Sequence, residues 1–144
     1  MSAVALVDTN ILVYWVDPRF PTKQQIAEEI LRRGIFEDSV RVPHQAVVEF
    51  QAVVTRPIDD GPPLLYREEA YRETEEILAA FSVLYPNDAV VRTAIRGSAA
   101  YGLSWFDAHL WAYAEVYGLS RILSEDFQHD RLYGRVRATN PFLE

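Results

Sequence analysis

The sequence predicts an α/β fold with a mainly parallel sheet. Short apolar segments alternate with amphipathic ones along the chain, which is the pattern of repeated strand–helix–strand units. The first apolar segment, residues 3–7, contains only small or apolar side chains, as in a strand buried on both faces. Neither an internal repeat nor a linker-like segment interrupts the 144 residues. We therefore expect one domain over residues 1–144.

Proline, glycine and capping residues delimit the elements in the first half of the chain. Thr22 is placed to cap the second helix, and Gly34 is placed to end it. Prolines at positions 18, 43 and 57 stop the segments before them, because proline lacks a backbone donor. We expect, in order, a strand over residues 3–7, a short helix over 11–15, a helix over 23–33, a strand over 39–42 and a helix over 45–56.

The same alternation continues in the second half. Glutamates crowd the next helix, and we expect them to form a solvated face. Asn87 or Asp88 caps the following helix, and Gly118 ends the last one. We expect helices over residues 66–80, 88–101 and 108–117, and strands over 82–85, 119–124 and 136–139. The final strand is predicted to lie at the edge of the sheet, after a polar loop from Gln128 to Arg135.

Composition and charge narrow the classes of function. The formal net charge of −7 argues against a general nucleic-acid binder, because phosphate neutralisation supplies most non-specific affinity. Acidic residues gathered around divalent cations would nevertheless form a positive site. The chain has no cysteine, which excludes disulfides, thiolate zinc sites and cysteine nucleophiles. We find no signal peptide and no membrane-spanning run, so we expect a cytoplasmic protein without a membrane partner.

Four acidic residues are predicted to meet at one edge of the sheet. Asp8 and Asp126 follow predicted strands, whereas Glu49 and Asp107 lie near the starts of helices. Ligands of open α/β folds bind beyond the carboxyl ends of the parallel strands. Convergent carboxylates repel one another unless a hard cation collects them, and an all-oxygen set suits Mg²⁺ or Mn²⁺.

Each of these acids also has a structural interpretation. Asp8 is a good helix cap, and Asp107 follows Ser104 at the spacing of a capping box. Asp126 is suited to forming a turn at the end of a strand. Glu49 is harder to explain in this way, because its neighbours are apolar and a buried carboxylate needs a partner or a cation.

Sequence motifs in a fixed order connect the chain to a known family. They are Val-Asp-Thr-Asn-Ile-Leu at the start, Val-Val-Glu-Phe in the middle, Ser-Trp-Phe-Asp-Ala-His-Leu-Trp-Ala, Leu-Ser-Glu-Asp-Phe, and Asn-Pro-Phe near the end. Together they resemble the PIN-domain ribonucleases, and among these the VapC-type toxins of bacterial toxin–antitoxin pairs. The resemblance covers essentially the whole chain and implies the PIN form of the three-layer sandwich.

The resemblance also implies a set of site residues. It assigns catalysis and metal binding to one acidic pocket, formed by Asp8, Glu49, Asp107 and Asp126. Thr9, Asn10 and Ser124 match polar positions that support these acids. Either Glu125 or Asp130 could replace or assist Asp126.

The activity implied by the family is Mg²⁺-dependent cleavage of RNA, with Mn²⁺ as a substitute. A metal-activated water would attack the phosphodiester, so no side-chain nucleophile is needed. The family further implies a VapB-like antitoxin partner, a homodimer, and binding of promoter DNA only through the antitoxin complex.

The remaining chemically active residues are given lesser roles. The histidines are dispersed and are expected to be structural or at the surface: His44, His109 and His129. Trp15 and Trp111, like Trp105, occupy apolar patterns typical of a core or an interface. Trp105, Arg131 and Arg135 are nevertheless candidates for contact with RNA, because they lie near the acids in sequence.

Two rival functions stay open at this stage. A strand that ends in Asp-x-Asn also resembles the phosphoaspartate phosphatases, which pair the aspartate with a second aspartate and a later lysine. Here position 10 is Asn, and the only lysine, Lys23, comes early. A catalytically weak module that binds RNA or an antitoxin is the other alternative.

Overall fold

The computed structural model describes residues 3–143, and in this range six strands form one sheet. The strands are β1 (Ala5–Val7), β2 (Val40–Pro43), β3 (Ser82–Leu84), β4 (Arg121–Leu123), β5 (Leu132–Tyr133) and β6 (Val136–Thr139). Their order across the sheet is β3-β2-β1-β4-β6-β5. All neighbours are parallel except β5 and β6, which form an antiparallel pair. The mainly parallel α/β sheet predicted from the sequence is thus confirmed.

Six helices connect and cover these strands within the described residues. They are α1 (Thr9–Trp15), α2 (Pro21–Glu37), α3 (His44–Val54), α4 (Arg67–Ala80), α5 (Asp88–Tyr101) and α6 (Trp105–Val116). Among residues 3–143, none of the helices combines the length and the apolar character needed to cross a membrane.

Two hydrophobic cores lie on opposite faces of the sheet. Alternation along β1 sends Leu6 into the core under α5 and α6, and Val7 into the core under α1 to α4. Leu6 and Val7 have no exposed surface, which explains why this central strand has no polar residue. Helices, sheet and helices therefore form the three layers that the family resemblance implies.

The ends of α2 differ from the prediction. The helix starts at Pro21 with Phe20 as N-cap, so Thr22 is not the cap. Gly34 does not end the helix, which continues to Glu37 and ends at Asp38 in the left-handed conformation. A Cβ at position 34 would collide with the side chain of Val40. Gly34 is therefore needed for close packing of α2 on β2, which local sequence signals do not reveal.

The edge of the sheet was also predicted incorrectly. The strand β6 lies between β4 and β5, so it is not the edge strand. The edge is β5, only two residues long, inside the segment predicted to be a polar loop. Leu132 and Tyr133 pair with Arg137 and Val136 across a turn at Gly134, whose φ is +63°. A pairing this short leaves no periodic signal in the sequence.

Candidate metal centre

Adjacent strands and one helix bring the candidate acids to the carboxyl edge of the sheet. Asp8 directly follows β1, and its backbone N–H donates to the carbonyl of Leu123 at the end of β4 (3.0 Å). Asp126 follows β4 after two more residues. Asp107 lies in the first turn of α6, where the N–H of Asp107 donates to the Ser104 hydroxyl (3.1 Å). The parallel pairing of β1 with β4 therefore places Asp8 and Asp126 side by side.

The carboxylates of Asp8, Asp107 and Asp126 converge, with one oxygen from each lying within 4.8 Å of the others. Asp8 is buried, Asp107 is half-buried and Asp126 is exposed. The cluster is thus built at the mouth of a crevice, open to solvent on the Asp126 side.

Asp8 acts both as a helix cap and as the buried member of this cluster. Its Oδ1 accepts the N–H of Thr9 (2.7 Å) at the start of α1. Its Oδ2 accepts the hydroxyl of Ser124 (2.6 Å) and the side-chain amide of Asn10 (3.3 Å). The cap interpretation and the cluster interpretation are therefore compatible, because different oxygens of Asp8 serve the two roles.

Ser124 and Asn10 link the carboxylates. Ser124 is fully buried, and its oxygen accepts the N–H of Asp126 (3.0 Å) while its hydroxyl donates to Asp8. The Asn10 amide nitrogen lies 3.3 Å from Ser124 and from Asp126 as well as from Asp8. The Asn10 Oδ1 atom is buried and has no hydrogen-bond partner among the described residues.

Within the described residues, no cationic side chain forms an ion pair with the acids of the cluster. Burial raises the pKa of Asp8 to about 7, with the Ser124 and Thr9 hydrogen bonds opposing the shift and the charges of Asp126 and Asp107 adding to it. Burial likewise raises the pKa of Asp107, and the charges of Asp126 and Glu49 add to it. None of the ion pairs within residues 3–143 includes any of these four acids.

Glu49 lies beside this cluster rather than in it. It is half-buried, and its carboxylate accepts the Thr9 hydroxyl (2.7 Å) and the Gln45 amide (3.2 Å). It is outside the group of oxygens within 4.8 Å, but with Asp126 it lines one cavity of about 330 Å³. Thr9 thus connects Glu49 to the end of β1, and a metal-binding role for Glu49 stays a prediction.

The two acids that were weighed against Asp126 are engaged elsewhere. Glu125 accepts from the Tyr14 hydroxyl (2.7 Å) and from Lys23 Nζ (3.0 Å). Asp130 accepts from Arg137 (3.2 Å). Since Lys23 is the only lysine of the chain and lies on Glu125, it does not occupy the position beside Asp8 that phosphoaspartate chemistry requires.

Arg131 and Arg135 do not line the cavity beside the acids. Arg135 pairs with Glu115 and borders a separate cavity, while Arg131 stacks on the ring of Tyr133 (4.5 Å to the centroid). Contact of either arginine with RNA stays a prediction.

The tryptophans and histidines are spread over several environments. Trp111 is buried and Trp15 packs against the core, as expected, whereas Trp105 is 48% exposed, so an interface or an RNA contact stays its predicted role. None of the three histidines belongs to the acidic cluster: His44 stacks on Tyr85, His109 contacts the Trp105 carbonyl, and His129 accepts the N–H of Asn140.

Tyr14, Arg19 and Phe20 border the cavity, and the sequence did not indicate them as functional residues. Tyr14 follows Asn10 by four residues and therefore shares its helix face, a spacing from which it could have been found. Arg19 and Phe20 lie in the turn before α2 and carry no comparable signal.

The residues at the cluster fit a hard divalent cation. The donors are all oxygen atoms, three of them on carboxylates that form no ion pair with the described part of the chain. The unpartnered Asn10 Oδ1 adds a buried polar atom next to them. Such a set favours Mg²⁺ or Mn²⁺ over zinc, which prefers nitrogen and sulfur.

This fold and this acidic edge define a class that the family comparison identifies. The model of the PIN domain matches residues 5–135, so the chain belongs to the PIN-domain family. The resemblance stated from the sequence is thereby confirmed at the level of the family.

Solved structures with the same fold include toxins and toxin–antitoxin complexes. A DNA-bound VapBC of Salmonella typhimurium has a TM-score of 0.71 at 12% identity, covering 97% of this chain and 99% of that one. A toxin–antitoxin complex from Klebsiella pneumoniae has a TM-score of 0.66 at 16% identity, covering 95% and 97%. The sarcin–ricin loop cleaving toxin VapC20 of Mycobacterium tuberculosis has a TM-score of 0.57 at 13% identity, covering 82% and 86%. Comparison with curated proteins returned no match.

Proposed function

We propose that this protein is a divalent-metal-dependent endoribonuclease and the toxin of a VapBC-like toxin–antitoxin pair, acting in the cytoplasm. The observation that carries the proposal is the convergence of Asp8, Asp107 and Asp126 within 4.8 Å, while none of the ion pairs of residues 3–143 involves them. Membership of the PIN-domain family supports it. So does the likeness in fold to VapBC proteins and to a toxin described as cleaving the sarcin–ricin loop.

In this proposal the three aspartates hold Mg²⁺ or Mn²⁺, and Glu49 completes the acidic pocket. The bound cation would lower the pKa of a water and offset the charge of the phosphodiester. Ser124 and Asn10 fix the Asp8 carboxylate by their hydrogen bonds. Asp8, whose pKa is about 7, must lose its proton before it can act as a ligand. Thr9 orients Glu49 through its hydroxyl.

The direct test is cleavage of RNA by the purified protein with Mg²⁺ or Mn²⁺. Asp8→Asn should abolish cleavage, because an amide is a neutral and weaker ligand, and EDTA should do the same to the wild type. Asp38→Asn is the matched control, since Asp38 is exposed and its left-handed conformation accommodates asparagine. Equal cleavage by the wild type and Asp8→Asn would contradict the proposal.

The partner in this proposal is an antitoxin with a basic segment. The net charge of −7 and the unneutralised acids both favour a cationic partner. The complexes from Klebsiella pneumoniae and Salmonella typhimurium are relatives in fold that pair with an antitoxin, the second bound to DNA. Titration with the product of a neighbouring small gene should abolish cleavage and produce binding to promoter DNA, which the toxin alone should not bind. We also propose a homodimer, to be checked by sedimentation.

A further inference from the structure

A groove leads away from the acidic cluster along α1 and α3. Its first part is the cavity of about 330 Å³ whose walls include Asp126, Glu49, Tyr14 and Phe20. Its second part, also about 330 Å³, is bordered by Arg56, Ile58 and Leu64. Val13, Arg19 and Val53 line both parts, so the two cavities adjoin at these residues. We name this surface the Arg19 groove.

The cations of this groove lie at its middle and at its far end. The Arg19 guanidinium forms a two-bond fork with the buried carboxylate of Asp17 (2.9 and 2.8 Å), which fixes its position. The Nη1 atom of Arg19 takes no part in this fork. Arg56 is exposed, and no ion pair within residues 3–143 includes it. A fixed guanidinium with a free nitrogen and an exposed arginine outside the ion pairs of the described residues can both donate hydrogen bonds to an anion in the groove.

An aromatic ring stands between the acids and Arg56. Phe20 is 43% exposed although it is large and apolar. The rings of Phe20 and Tyr14 make an edge-to-face contact (5.7 Å between centroids). The Arg19 guanidinium lies 5.3 Å from the centroid of the Phe20 ring. An exposed ring next to a fixed guanidinium is a surface on which an unpaired base can stack.

We propose that the Arg19 groove binds the stretch of single-stranded RNA that adjoins the cleaved bond. One base stacks at Phe20, and Arg19 and Arg56 bind the backbone phosphates on the side away from the acids. The inference rests on the proposed function, because it presumes that the acidic cluster cleaves RNA. It assigns RNA contacts to residues that the sequence did not indicate, instead of Arg131 and Arg135.

The test measures binding of a fluorescein-labelled short single-stranded RNA of mixed sequence by anisotropy, in the Asp8→Asn background to prevent cleavage. Phe20→Leu should weaken binding about fivefold or more, because the stacking surface is lost while an apolar side chain remains. Arg56→Gln should weaken binding and reduce the slope of log Kd against log salt by about 0.7, the value for one phosphate contact on a single strand.

Two matched control variants test whether RNA binds at the Arg19 groove and not elsewhere on the surface. Phe36→Leu removes an exposed ring (91% exposed) at the other end of α2, and Arg135→Gln removes an exposed arginine outside the groove. Both should bind RNA as the parent protein does. In the wild-type background, Phe20→Leu should raise KM for the same RNA and leave kcat unchanged.

Each contrary outcome has a distinct meaning. If Phe20→Leu and Arg56→Gln bind RNA like the controls while the wild type still cleaves it, the groove assignment is wrong and the proposed function stands. If Arg135→Gln weakens binding and Arg56→Gln does not, RNA follows the β5–β6 edge and the assignment is also wrong. If the two groove variants lose only antitoxin binding, the groove belongs to the protein partner. Absence of RNA cleavage by the wild type with either metal contradicts the proposed function itself.

Discussion

Glu125 and Asp126 adjoin in sequence but belong to differently built regions. Glu125 is neutralised within the chain, since Lys23 Nζ lies 3.0 Å from one of its oxygens and the Tyr14 hydroxyl lies 2.7 Å from the other. Lys23 also lies over the Tyr14 ring (4.8 Å to the centroid). Asp126 instead approaches two other carboxylates, and its side chain accepts only a long hydrogen bond (3.3 Å) from Asn10.

This difference separates a structural acid from a candidate ligand. An acid with its own lysine needs nothing from outside the chain. Acids that face one another without a cation lower the stability of the folded state unless they are protonated or bind a cation. Burial is the main cause of the raised pKa of Asp8 and of Asp107, and the charges of the neighbouring carboxylates add to it.

The largest predicted effect is that of removing an acid from the cluster. Asp107→Asn should reduce RNA cleavage by more than the roughly 10- to 100-fold that loss of an outer-shell partner causes, because it removes a metal ligand itself. The fold should persist, since the backbone N–H of residue 107 still donates to the Ser104 hydroxyl that caps α6. Cleavage rates and thermal unfolding measure the two effects. An Asp107→Asn variant that cleaves RNA like the wild type would show that Asp107 is not a required ligand.

A second prediction concerns pH and stability without metal. The pKa of Asp8 rises from 3.8 to about 7 on folding, so the folded state holds a proton that the unfolded chain has released. Stability from this group is complete below pH 3.8 and is lost as the pH rises to about 7, a change of roughly 4 kcal/mol. Unfolding of the wild type and of Asp8→Asn in EDTA across this window measures it. The variant should gain stability relative to the wild type as the pH rises, and a constant difference would contradict the account.

The third prediction concerns the buried hydroxyl that joins two of the acids. Ser124→Ala leaves Asp8 without its 2.6 Å hydrogen bond and releases the N–H of Asp126. We expect metal affinity to fall about 10- to 100-fold, as for other groups that orient ligands. Calorimetric titration with Mn²⁺ checks this, and a variant that binds the ion as tightly as the wild type would show that Ser124 only fills space.

The smallest effect on stability and metal binding is predicted for a substitution in the Lys23–Glu125 ion pair. The Lys23–Glu125 pair is partly exposed, with 37% and 25% of the two side chains accessible, so Lys23→Gln should cost at most about 1 kcal/mol of folding free energy. Metal affinity should stay at the wild-type value. Chemical denaturation and the same Mn²⁺ titration measure both, and a large loss of metal affinity would remove the distinction between the two regions.

Much of this arrangement could be predicted from local sequence. The apolar run that ends at Asp8 identified the central strand, and the run before Asp126 identified another strand of the sheet. Parallel strands share a carboxyl edge, so both acids were expected at one edge, whereas the direct pairing of these two strands is seen only in the structure. The convergence of Asp107 with them also agrees with the expectation.

Other features depend on contacts between distant segments. Gly34 was expected to end α2, but glycine is needed there because the side chain of Val40, on another element, leaves no space for a Cβ. The choice between Asp126, Glu125 and Asp130 depends on which acid meets Lys23 or Arg137, and residue spacing does not encode these pairings. Likewise, the Arg19 groove forms only when α1, α3 and the turn before α2 come together.

Mn²⁺ binding by Asp126→Asn and by Glu125→Gln, measured in the same calorimetric titration, decides which acids form the metal centre. The two substitutions remove one negative charge each at adjacent positions, so a general electrostatic effect would weaken binding equally. We predict that Glu125→Gln binds Mn²⁺ like the wild type and that Asp126→Asn binds it at least tenfold more weakly. Equal loss in both variants, or a greater loss in Glu125→Gln, would contradict the assignment of the metal centre to Asp8, Asp107 and Asp126.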